Sequence, residues 1–334
     1  MTEIRKWFVT GAAGFIGSNL CAYLLRKGES VTGYDNFLTG KRENIERLEK
    51  VGGANFSFVE GDILDGEALR HAAAGADRMA HLAAQVSVQR SLDDPLETNA
   101  INVTGFLTAL TSAAATGIER FFYASSCAVY GDNTSLPLNE SADLAPLSPY
   151  AVAKLSNEHY AASLAGSFPR MQMTGLRFFN IFGPWQDFAG GYAAVIPRWI
   201  SLLAEGKQPV AFGDGTATRD FCFVDNVCAL IDRLGNGSAI PARPVYNVGT
   251  GTPVSLNDLY AAICARLHAR GVAVPFDVPD YQPWRAGDIV HSYGDISCAR
   301  AELGYSSTVG LEAGIDRIMT EEYGIPPARK EAKE

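Results

Sequence analysis

A glycine-rich turn between a short strand and a helix places the strongest constraint on the fold of this chain. Ile4 to Thr10 has the composition of a β-strand and runs into Gly11 to Gly17, which reads GAAGFIG. Ser18 to Lys27 then carries leucines at helical spacing, and Gly28 is a common helix stop. Such a turn lets the backbone approach a pyrophosphate, and the helix N-terminus offers free N–H groups to it. The segment therefore predicts a dinucleotide site.

Strands and helices alternate through the first half of the chain. The second strand ends at Asp35, which lies 18 residues beyond Gly17, where an acid accepts hydrogen bonds from the adenosine ribose. A carboxylate there repels a 2′-phosphate, so NAD is favoured over NADP. Further β-type runs are Phe56 to Gly61, Arg78 to Leu82 and Phe121 to Ser126. We expect an α/β fold, a Rossmann-type doubly wound parallel sheet, with ligand at the carboxyl ends of the strands.

Composition and charge narrow the class of protein. The 334 residues are 47% hydrophobic and 19% charged, as in an ordinary globular protein, and the formal charge is −9. That charge argues against a nucleic-acid or membrane partner. The six cysteines show no Cys-x2-Cys spacing and the five histidines are scattered, so we expect free thiols and no metal site. An apolar signal segment is not apparent, which favours a cytoplasmic protein.

A second motif lies in the helix that Ser148 and Pro149 are predicted to start. Tyr150 and Lys154 are four residues apart, so a helix puts the phenol and the ammonium group on one face. The phenol of free tyrosine has a pKa of about 10, and a neighbouring cation favours the phenolate. The hydroxyl of Ser126, at the end of the fifth strand, would lie at the same edge of the sheet. Ser126, Tyr150 and Lys154 are the candidate catalytic residues.

Over nearly its whole length the chain resembles the extended short-chain dehydrogenase/reductases of the NAD-dependent epimerase/dehydratase family, and within them the nucleotide-sugar 4-epimerases. The motifs that carry this resemblance are Thr10 to Gly17, Asp35-Asn36, Gly61 to Ile63, His81 to Ala84, Ser125 to Gly131 and Tyr150 to Lys154. The resemblance implies that NAD is contacted by Gly11, Gly14, Phe15, Ile16, Gly17, Asp35, Asn36, Asp62, Ile63, Leu82, Ala83, Ala84, Asn102, Tyr150, Lys154 and Phe178. For Asn102, an exposed position on a long helix after Pro95 is the alternative.

The second half of the chain resembles the family's sugar-nucleotide lobe. The matching segments are Arg177 to Pro184, Gly190 to Pro197, Val210 to Gly215, Arg219-Asp220 and Trp284 to Asp288. Guanidinium groups in the last two suit a diphosphate clamp, although a surface ion pair is the alternative for each. The implied UDP-sugar contacts are Ser87, Arg90, Ser126, Asn180, Ala194, Val195, Phe212, Arg219, Arg285, Asp288 and Ser292.

Departures from the wider family separate the reactions. Related 4,6-dehydratases place Asp-Glu after the fifth strand, and decarboxylating members place a Glu there, where this chain has Ser126-Cys127. Ser292 matches a position at which a bulky Tyr restricts epimerases to unsubstituted hexoses, so a 2-acetamido group should fit. We therefore expect a UDP-sugar 4-epimerase for UDP-N-acetylglucosamine and UDP-N-acetylgalactosamine, with UDP-glucose tolerated.

Three alternatives stay open. The substrate could be a UDP-N-acetylated or diacetamido hexuronic acid for a surface polysaccharide such as O-antigen or capsule, with Arg90 as partner of the sugar carboxylate, unless Arg90 is simply a surface residue. A nucleotide-sugar oxidoreductase with net NAD(H) turnover would use the same three catalytic residues. A non-enzymatic NAD sensor on this fold is the third alternative.

The resemblance also implies a mechanism and an assembly. Tyr150 as phenolate takes the proton of the sugar 4-hydroxyl while hydride leaves carbon 4; Ser126 hydrogen-bonds that oxygen, and Lys154 lowers the pKa of Tyr150 and holds the nicotinamide ribose. Relatives are commonly homodimers through paired helices. We expect residues 1–176 with about 214–248 to form the NAD-binding domain, 177–213 and 249–326 the UDP-sugar lobe, and 327–334 a polar tail. Within the second lobe, a short strand is expected at Phe276 to Val278.

Overall fold

Seven parallel strands form the central sheet, which confirms the predicted doubly wound fold. A computed structural model describes residues 4–186, 194–237, 241–284 and 289–328. The strands in these ranges are β1 (Lys6–Thr10), β2 (Ser30–Asp35), β3 (Phe56–Glu60), β4 (Arg78–His81), β5 (Arg120–Ser126), β6 (Gln172–Phe178), β7 (Asn180–Phe182), β8 (Val210–Phe212), β9 (Thr218–Arg219), β10 (Phe221–Phe223), β11 (Val245–Val248), β12 (Val254–Ser255), β13 (Asp280–Gln282) and β14 (His291–Ser292). The central sheet has the order β11-β6-β5-β4-β1-β2-β3.

Helices cover both faces of the sheet. In the described ranges they are α1 (Phe15–Arg26), α2 (Arg42–Gly52), α3 (Gly66–Ala73), α4 (Val88–Asp93), α5 (Pro95–Asn99), α6 (Gly105–Thr116), α7 (Pro149–Leu164), α8 (Val195–Ala204), α9 (Val224–Asn236), α10 (Leu256–Ala269), α11 (Ser297–Leu303) and α12 (Leu311–Glu321). Alternate residues of β1 enter opposite cores, because Trp7 and Val9 pack on one face and Phe8 on the other. The sheet is therefore buried on both sides, as parallel sheets are.

Capping side chains set several helix boundaries. The hydroxyl oxygen of Ser148 accepts a hydrogen bond from the N–H of Ala151 at 3.2 Å, so α7 begins at Pro149 as predicted. Asp65 accepts from the N–H groups of Glu67 and Ala68, which starts α3 at Gly66. The long helix predicted after Pro95 is confirmed: α5 and α6 form one helical run to Thr116, joined without a break by a π-helical turn at Ala100–Thr104.

Strand order reverses between β4 and β1, and this reversal positions the ligand cleft. β2 and β3 extend the sheet on one side of β1, while β4, β5, β6 and β11 extend it on the other. Chains leaving β1 and β4 therefore diverge to opposite faces at their carboxyl ends. A crevice opens at such a switch point, and ligands of doubly wound sheets bind there.

The second half of the chain contains several short strands and three helices that pack on one another, α8, α10 and α12. β8 pairs with β13, β9 lies between β12 and β14, and β7 pairs with β10. The strand expected at Phe276 to Val278 is wrong: the paired residues are Asp280–Gln282, which lie beside Val210–Phe212. Pro275 and Pro279 flank the predicted stretch and supply no N–H groups for pairing. Strand β11, which lies in the 214–248 segment predicted to belong to the NAD-binding domain, pairs with β6 of the central sheet. The division of the chain into two lobes stays a prediction.

A buried ion pair ties α7 to the sheet. Arg177 on β6 donates to both carboxylate oxygens of Glu158 on α7, at 2.9 and 2.7 Å, and the two side chains are only 5% and 7% exposed. Ser125 on β5 also hydrogen-bonds this carboxylate. Arg177 donates in addition to the phenol oxygen of Tyr130 at 2.8 Å. Three secondary-structure elements are thus joined through one satisfied charge pair. No described helix is both long and apolar enough to cross a membrane.

We expect Glu158→Gln to lower the free energy of unfolding by about 3 kcal/mol, because the guanidinium of Arg177 would remain buried without its anionic partner. Denaturant unfolding at a fixed NAD concentration measures the change. Glu60→Gln is the matched control, since its pair with Arg42 is 56% and 65% exposed, and it should cost less than about 1 kcal/mol. Equal losses in the two variants would contradict the assignment.

Candidate active site

A cleft of about 700 Å³ opens at the carboxyl ends of the central strands. Its walls come from the glycine turn, the loops after β2, β4 and β5, the start of α7, and the segment after β6. The predicted residues that line it are Gly11, Gly14, Phe15, Ile16, Gly17, Asp35, Asn36, Asp62, Ile63, Leu82, Ala83, Ala84, Ser87, Arg90, Ser126, Tyr150, Lys154, Phe178, Asn180 and Ala194. One continuous cleft therefore contains the NAD-side and sugar-side candidates.

The glycine turn is packed so closely that side chains are excluded. Gly11 has φ of +74°, and a Cβ there would lie 2.7 Å from the backbone nitrogen of Ala83. A Cβ on Gly17 would lie 2.0 Å from the carbonyl oxygen of Gly11. Helix α1 starts at Phe15, three residues earlier than expected, so its free N–H groups face the cleft directly above the turn. This cradle fits a pyrophosphate.

Asp35 joins the end of β2 to this turn. Its carboxylate accepts hydrogen bonds from the N–H groups of Ala13 at 3.0 Å and Phe37 at 2.8 Å. Burial raises the pKa of Asp35, and these hydrogen bonds oppose the increase. The amide of Asn36 donates to Asp62 at 3.0 Å, which holds the loops after β2 and β3 together. The arrangement fits an adenosine ribose whose hydroxyl groups donate to a fixed carboxylate.

Two buried side chains, His81 and Asn102, fix the position of the loop after β4. His81 contacts the hydroxyl of Thr10 through Nδ1 at 2.8 Å, and burial lowers the pKa of His81 to about 3, so it is neutral at physiological pH. Asn102 lies on the π-helical turn and is 2% exposed. Its amide accepts from the N–H and donates to the C=O of Gln85, both at 2.8 Å. Asn102 is therefore neither an exposed residue nor part of the cleft wall; it positions Gln85, which lines the cleft.

Ser126, Tyr150 and Lys154 meet at the end of β5. The hydroxyl of Ser126 lies close to the phenol of Tyr150, and its oxygen accepts a hydrogen bond from the N–H of Ala128 at 3.1 Å. The ammonium of Lys154 lies 5.7 Å from the centroid of the Tyr150 ring and donates to the carbonyl of Ala124 at 2.9 Å. The three side chains are thus placed together as predicted. Their catalytic roles are proposed below.

Burial dominates the electrostatics of these groups. It raises the pKa of Tyr150 to about 12, although the nearby hydroxyl of Ser126 opposes this, and it lowers the pKa of Lys154 to about 8. We expected Lys154 to bring the pKa of Tyr150 below its ordinary value. In the protein without cofactor the pKa of Tyr150 is instead above that value. Lys154 remains largely protonated at pH 7.

Several sugar-side candidates lie on the second lobe, outside the cleft wall: Val195, Phe212, Arg219 and Ser292. The guanidinium of Arg219 donates to the carbonyl oxygens of Thr218, Ile289 and Val290 at 2.8, 2.7 and 3.0 Å. Ser292 is buried on β14 and lies close to the thiol of Cys127, which follows Ser126 in the chain. Burial raises the pKa of that thiol to about 11. Arg285 and Asp288, and Gly190 to Ala193, lie outside the described residues.

Sequence reasoning missed a group of cleft-lining residues: Leu38, Thr39, Lys41, Asn44, Gln85, Val86, Ile101, Trp185 and Gln186. Lys41 and Asn44 reach the site because the N–H of Lys41 and the amide of Asn44 both donate to the carbonyl of Ala13, at 3.0 and 2.9 Å. The short connection from Asp35 to the next helix was a usable signal, since it must cross the sheet edge. Among the described residues, no group of three His, Cys, Asp or Glu side chains could hold a metal.

Comparisons with known proteins agree with this geometry. A model of the NAD dependent epimerase/dehydratase family matches residues 7–249. The UDP-glucose 4-epimerase of Mycolicibacterium smegmatis is 36% identical over 316 residues, which cover 94% of this chain and 97% of that protein. The structure of a UDP-N-acetylglucosamine 4-epimerase from Methanobrevibacter ruminantium M1, in complex with UDP-N-acetylmuramic acid, superposes with a TM-score of 0.86 at 32% identity, covering 96% of this chain and all of that one.

A second solved structure bears on the cofactor. The UDP-glucose 4-epimerase of Thermus thermophilus, in complex with NAD, superposes with a TM-score of 0.80 at 30% identity and covers 96% of this chain and 99% of that one. The glycine cradle and the carboxylate of Asp35 fit the same dinucleotide. The chain therefore belongs to the NAD-dependent epimerase/dehydratase family, and it is an NAD-dependent isomerase of the short-chain dehydrogenase/reductase type.

Proposed function

We propose that this NAD-dependent UDP-sugar 4-epimerase interconverts UDP-N-acetylglucosamine and UDP-N-acetylgalactosamine and also accepts UDP-glucose. The observation that carries the proposal is the meeting of Ser126, Tyr150 and Lys154 at one end of a cleft whose other end fits a dinucleotide. The similarity to UDP-glucose and UDP-N-acetylglucosamine 4-epimerases supports the reaction.

In this proposal Tyr150 is the proton-transferring residue. Its phenolate takes the proton of the sugar 4-hydroxyl, and the phenol returns the proton once the sugar has turned over. The glycine turn and Asp35 would hold NAD, which would supply a reversible hydride acceptor for carbon 4, so that no net oxidation results. Ser126 is placed to hydrogen-bond the sugar 4-oxygen because its hydroxyl lies close to the phenol of Tyr150.

Lys154 supplies the local positive charge. It is 4% exposed, and its bond to the carbonyl of Ala124 fixes the ammonium beneath Tyr150. Because burial alone leaves the pKa of Tyr150 at about 12, further stabilisation of the phenolate is needed at neutral pH. Bound NAD in its oxidised form would add positive charge near the phenol and so favour the phenolate. We therefore expect proton abstraction to depend on the oxidised form of the cofactor.

Two features favour a neutral 2-acetamido sugar. Ser292 lies outside the cleft wall, beside Cys127, and the family resemblance implies that a small residue at this position leaves room for a substituent that a tyrosine would fill. The guanidinium of Arg90 is already bonded to the carboxylate of Glu97, at 2.8 and 2.6 Å, so it is not held ready for the carboxylate of a uronic acid. The hexuronic acid alternative is accordingly less favoured.

Tyr150→Phe should lower the rate of conversion of UDP-N-acetylglucosamine by at least about 100-fold, because the group that carries the proton is removed. The measurement is resolution of product sugars by NMR with the purified protein and no added NAD. Tyr160→Phe, a change at an exposed position of the same helix, is the matched control and should keep full activity. Stoichiometric change in NADH absorbance would instead favour the oxidoreductase. Conversion by Tyr150→Phe at the wild-type rate would remove Tyr150 from the mechanism.

Ser292→Tyr should reduce kcat/KM for UDP-N-acetylglucosamine at least tenfold while UDP-glucose turnover stays within about threefold, because the resemblance implies that a tyrosine ring at this position occupies the acetamido space. Ser292→Ala keeps the space and removes only the hydroxyl beside Cys127, so its substrate ratio should match that of the wild type. If Ser292→Tyr lowers kcat/KM for UDP-N-acetylglucosamine and for UDP-glucose by the same factor, Ser292 does not contact the sugar.

We also propose a homodimer formed through the face of α4, α5 and α7. Large apolar side chains are exposed along this face, namely Leu92, Leu96, Val152 and Tyr160. Leu96 is 83% exposed, which is unusual for a leucine beside three other apolar residues. A second copy would cover this strip, as the family resemblance implies.

Leu96→Asp is expected to shift the protein toward monomer in sedimentation experiments, because a carboxylate would be buried in the paired helices. Val278→Asp, at a comparably exposed position of the second lobe, serves as control and should not change the sedimentation coefficient. A wild-type protein that sediments as a monomer at micromolar concentration would rule out the dimer.

A further inference from the structure

We propose that the Arg90–Glu97 ion pair selects uncharged sugars by keeping one wall of the cleft free of available positive charge. This inference rests on the proposed function and assigns a specificity role to Glu97, which does not itself line the cleft. The substrate class it defines is a UDP-sugar with a neutral carbon 6, in preference to a UDP-uronic acid.

The pair is rigidly built. Nε of Arg90 donates to one carboxylate oxygen of Glu97 at 2.8 Å, and Nη2 donates to the other at 2.6 Å. This two-point geometry fixes the orientation of the guanidinium. Both residues sit at capped helix starts: Ser87 accepts from the N–H of Arg90 at 3.1 Å, and Asp94 accepts from the N–H of Glu97 at 2.9 Å. Arg90 is 37% exposed and lines the cleft, so a bound sugar can reach its guanidinium.

Arg90 of this pair lines the cleft together with Ser87, one of the sugar-side candidates. Helix α4, which carries Arg90, and helix α5, which carries Glu97, both pack against α7, the helix of Tyr150. In this proposal the carbon-6 substituent of the sugar faces the wall that Arg90 and Ser87 form.

The charges around Arg90 disfavour an incoming carboxylate. The guanidinium is neutralised by Glu97, and Asp93 and Asp94 add two further acidic groups on the same turn. A uronic acid would have to displace Glu97 or share the guanidinium with it, and either arrangement places like charges side by side. A neutral hydroxymethyl group at carbon 6 neither displaces Glu97 nor repels its carboxylate. The remaining N–H groups of Arg90 can still donate to neutral oxygens, so polar recognition is kept without charge.

The test uses Glu97→Gln and a pair of substrates that differ only at carbon 6, UDP-glucose and UDP-glucuronate. We expect the ratio of kcat/KM for UDP-glucuronate to that for UDP-glucose to rise at least tenfold, because an uncharged amide cannot neutralise the guanidinium of Arg90. The double variant Glu97→Gln with Arg90→Ala should lose this gain. Glu205→Gln, which removes an equal charge from an exposed pair with Lys207, should leave the ratio unchanged.

An unchanged ratio in Glu97→Gln, or a gain that persists in the double variant, would overturn the inference. A wild-type enzyme that already prefers UDP-glucuronate would also overturn it. If neither sugar is epimerised, the proposed function fails separately, and the same ratio is then taken from dissociation constants measured by calorimetry on the NAD-loaded protein. A tenfold shift in that binding ratio would still support charge selection, and an unshifted ratio would refute it.

Discussion

The close approach of three backbone segments at Gly11, Gly17 and Ala83 is the constraint on which the rest of the site depends. The carbonyl of Gly11 lies where a Cβ on Gly17 would sit, so α1 can begin immediately after β1 only if both positions lack side chains. That short connection points the N-terminus of α1 into the crevice where the strand order reverses. Asp35 and Asn44 are then anchored on the turn itself, through Ala13. The cofactor site is thus a consequence of backbone packing.

Burial sets the charge states along the cleft. His81 is kept neutral and serves as a fixed contact between β1 and β4, while Lys154 keeps its proton at pH 7. Tyr150 is protonated in the protein alone, since its pKa is raised to about 12. In the protein alone Tyr150 is thus a positioned but weakly acidic phenol, and in the proposed mechanism bound NAD would add the positive charge that favours its phenolate.

Local sequence patterns predicted the strands, turns and helix starts that form the site. They did not predict the side chains whose role depends on contacts with distant parts of the chain. The turn, Asp35, the Ser148 cap and the four-residue spacing of Tyr150 and Lys154 are local, so their placement followed from the chain alone. Asn102 could not be resolved in this way, because its partner is the backbone of Gln85 on another loop. The same holds for the Arg177–Glu158 pair, which joins residues 19 positions apart. The position of the short strand at Asp280–Gln282 was predicted four residues too early, because it is set by pairing with β8, a distant segment.

The group that follows Ser126 argues for epimerisation over elimination. A 4,6-dehydratase needs an acid and a base beyond the oxidised carbon, and the resemblance places them just after the fifth strand. Here that position holds Cys127, whose thiol lies close to Ser292 and whose pKa is raised to about 11 by burial. Such a thiol neither gives up a proton readily at neutral pH nor exists there as thiolate in useful amount. Cys127 is therefore unsuited to the acid and base roles that elimination needs at this position, which agrees with the similarity of the chain to 4-epimerases.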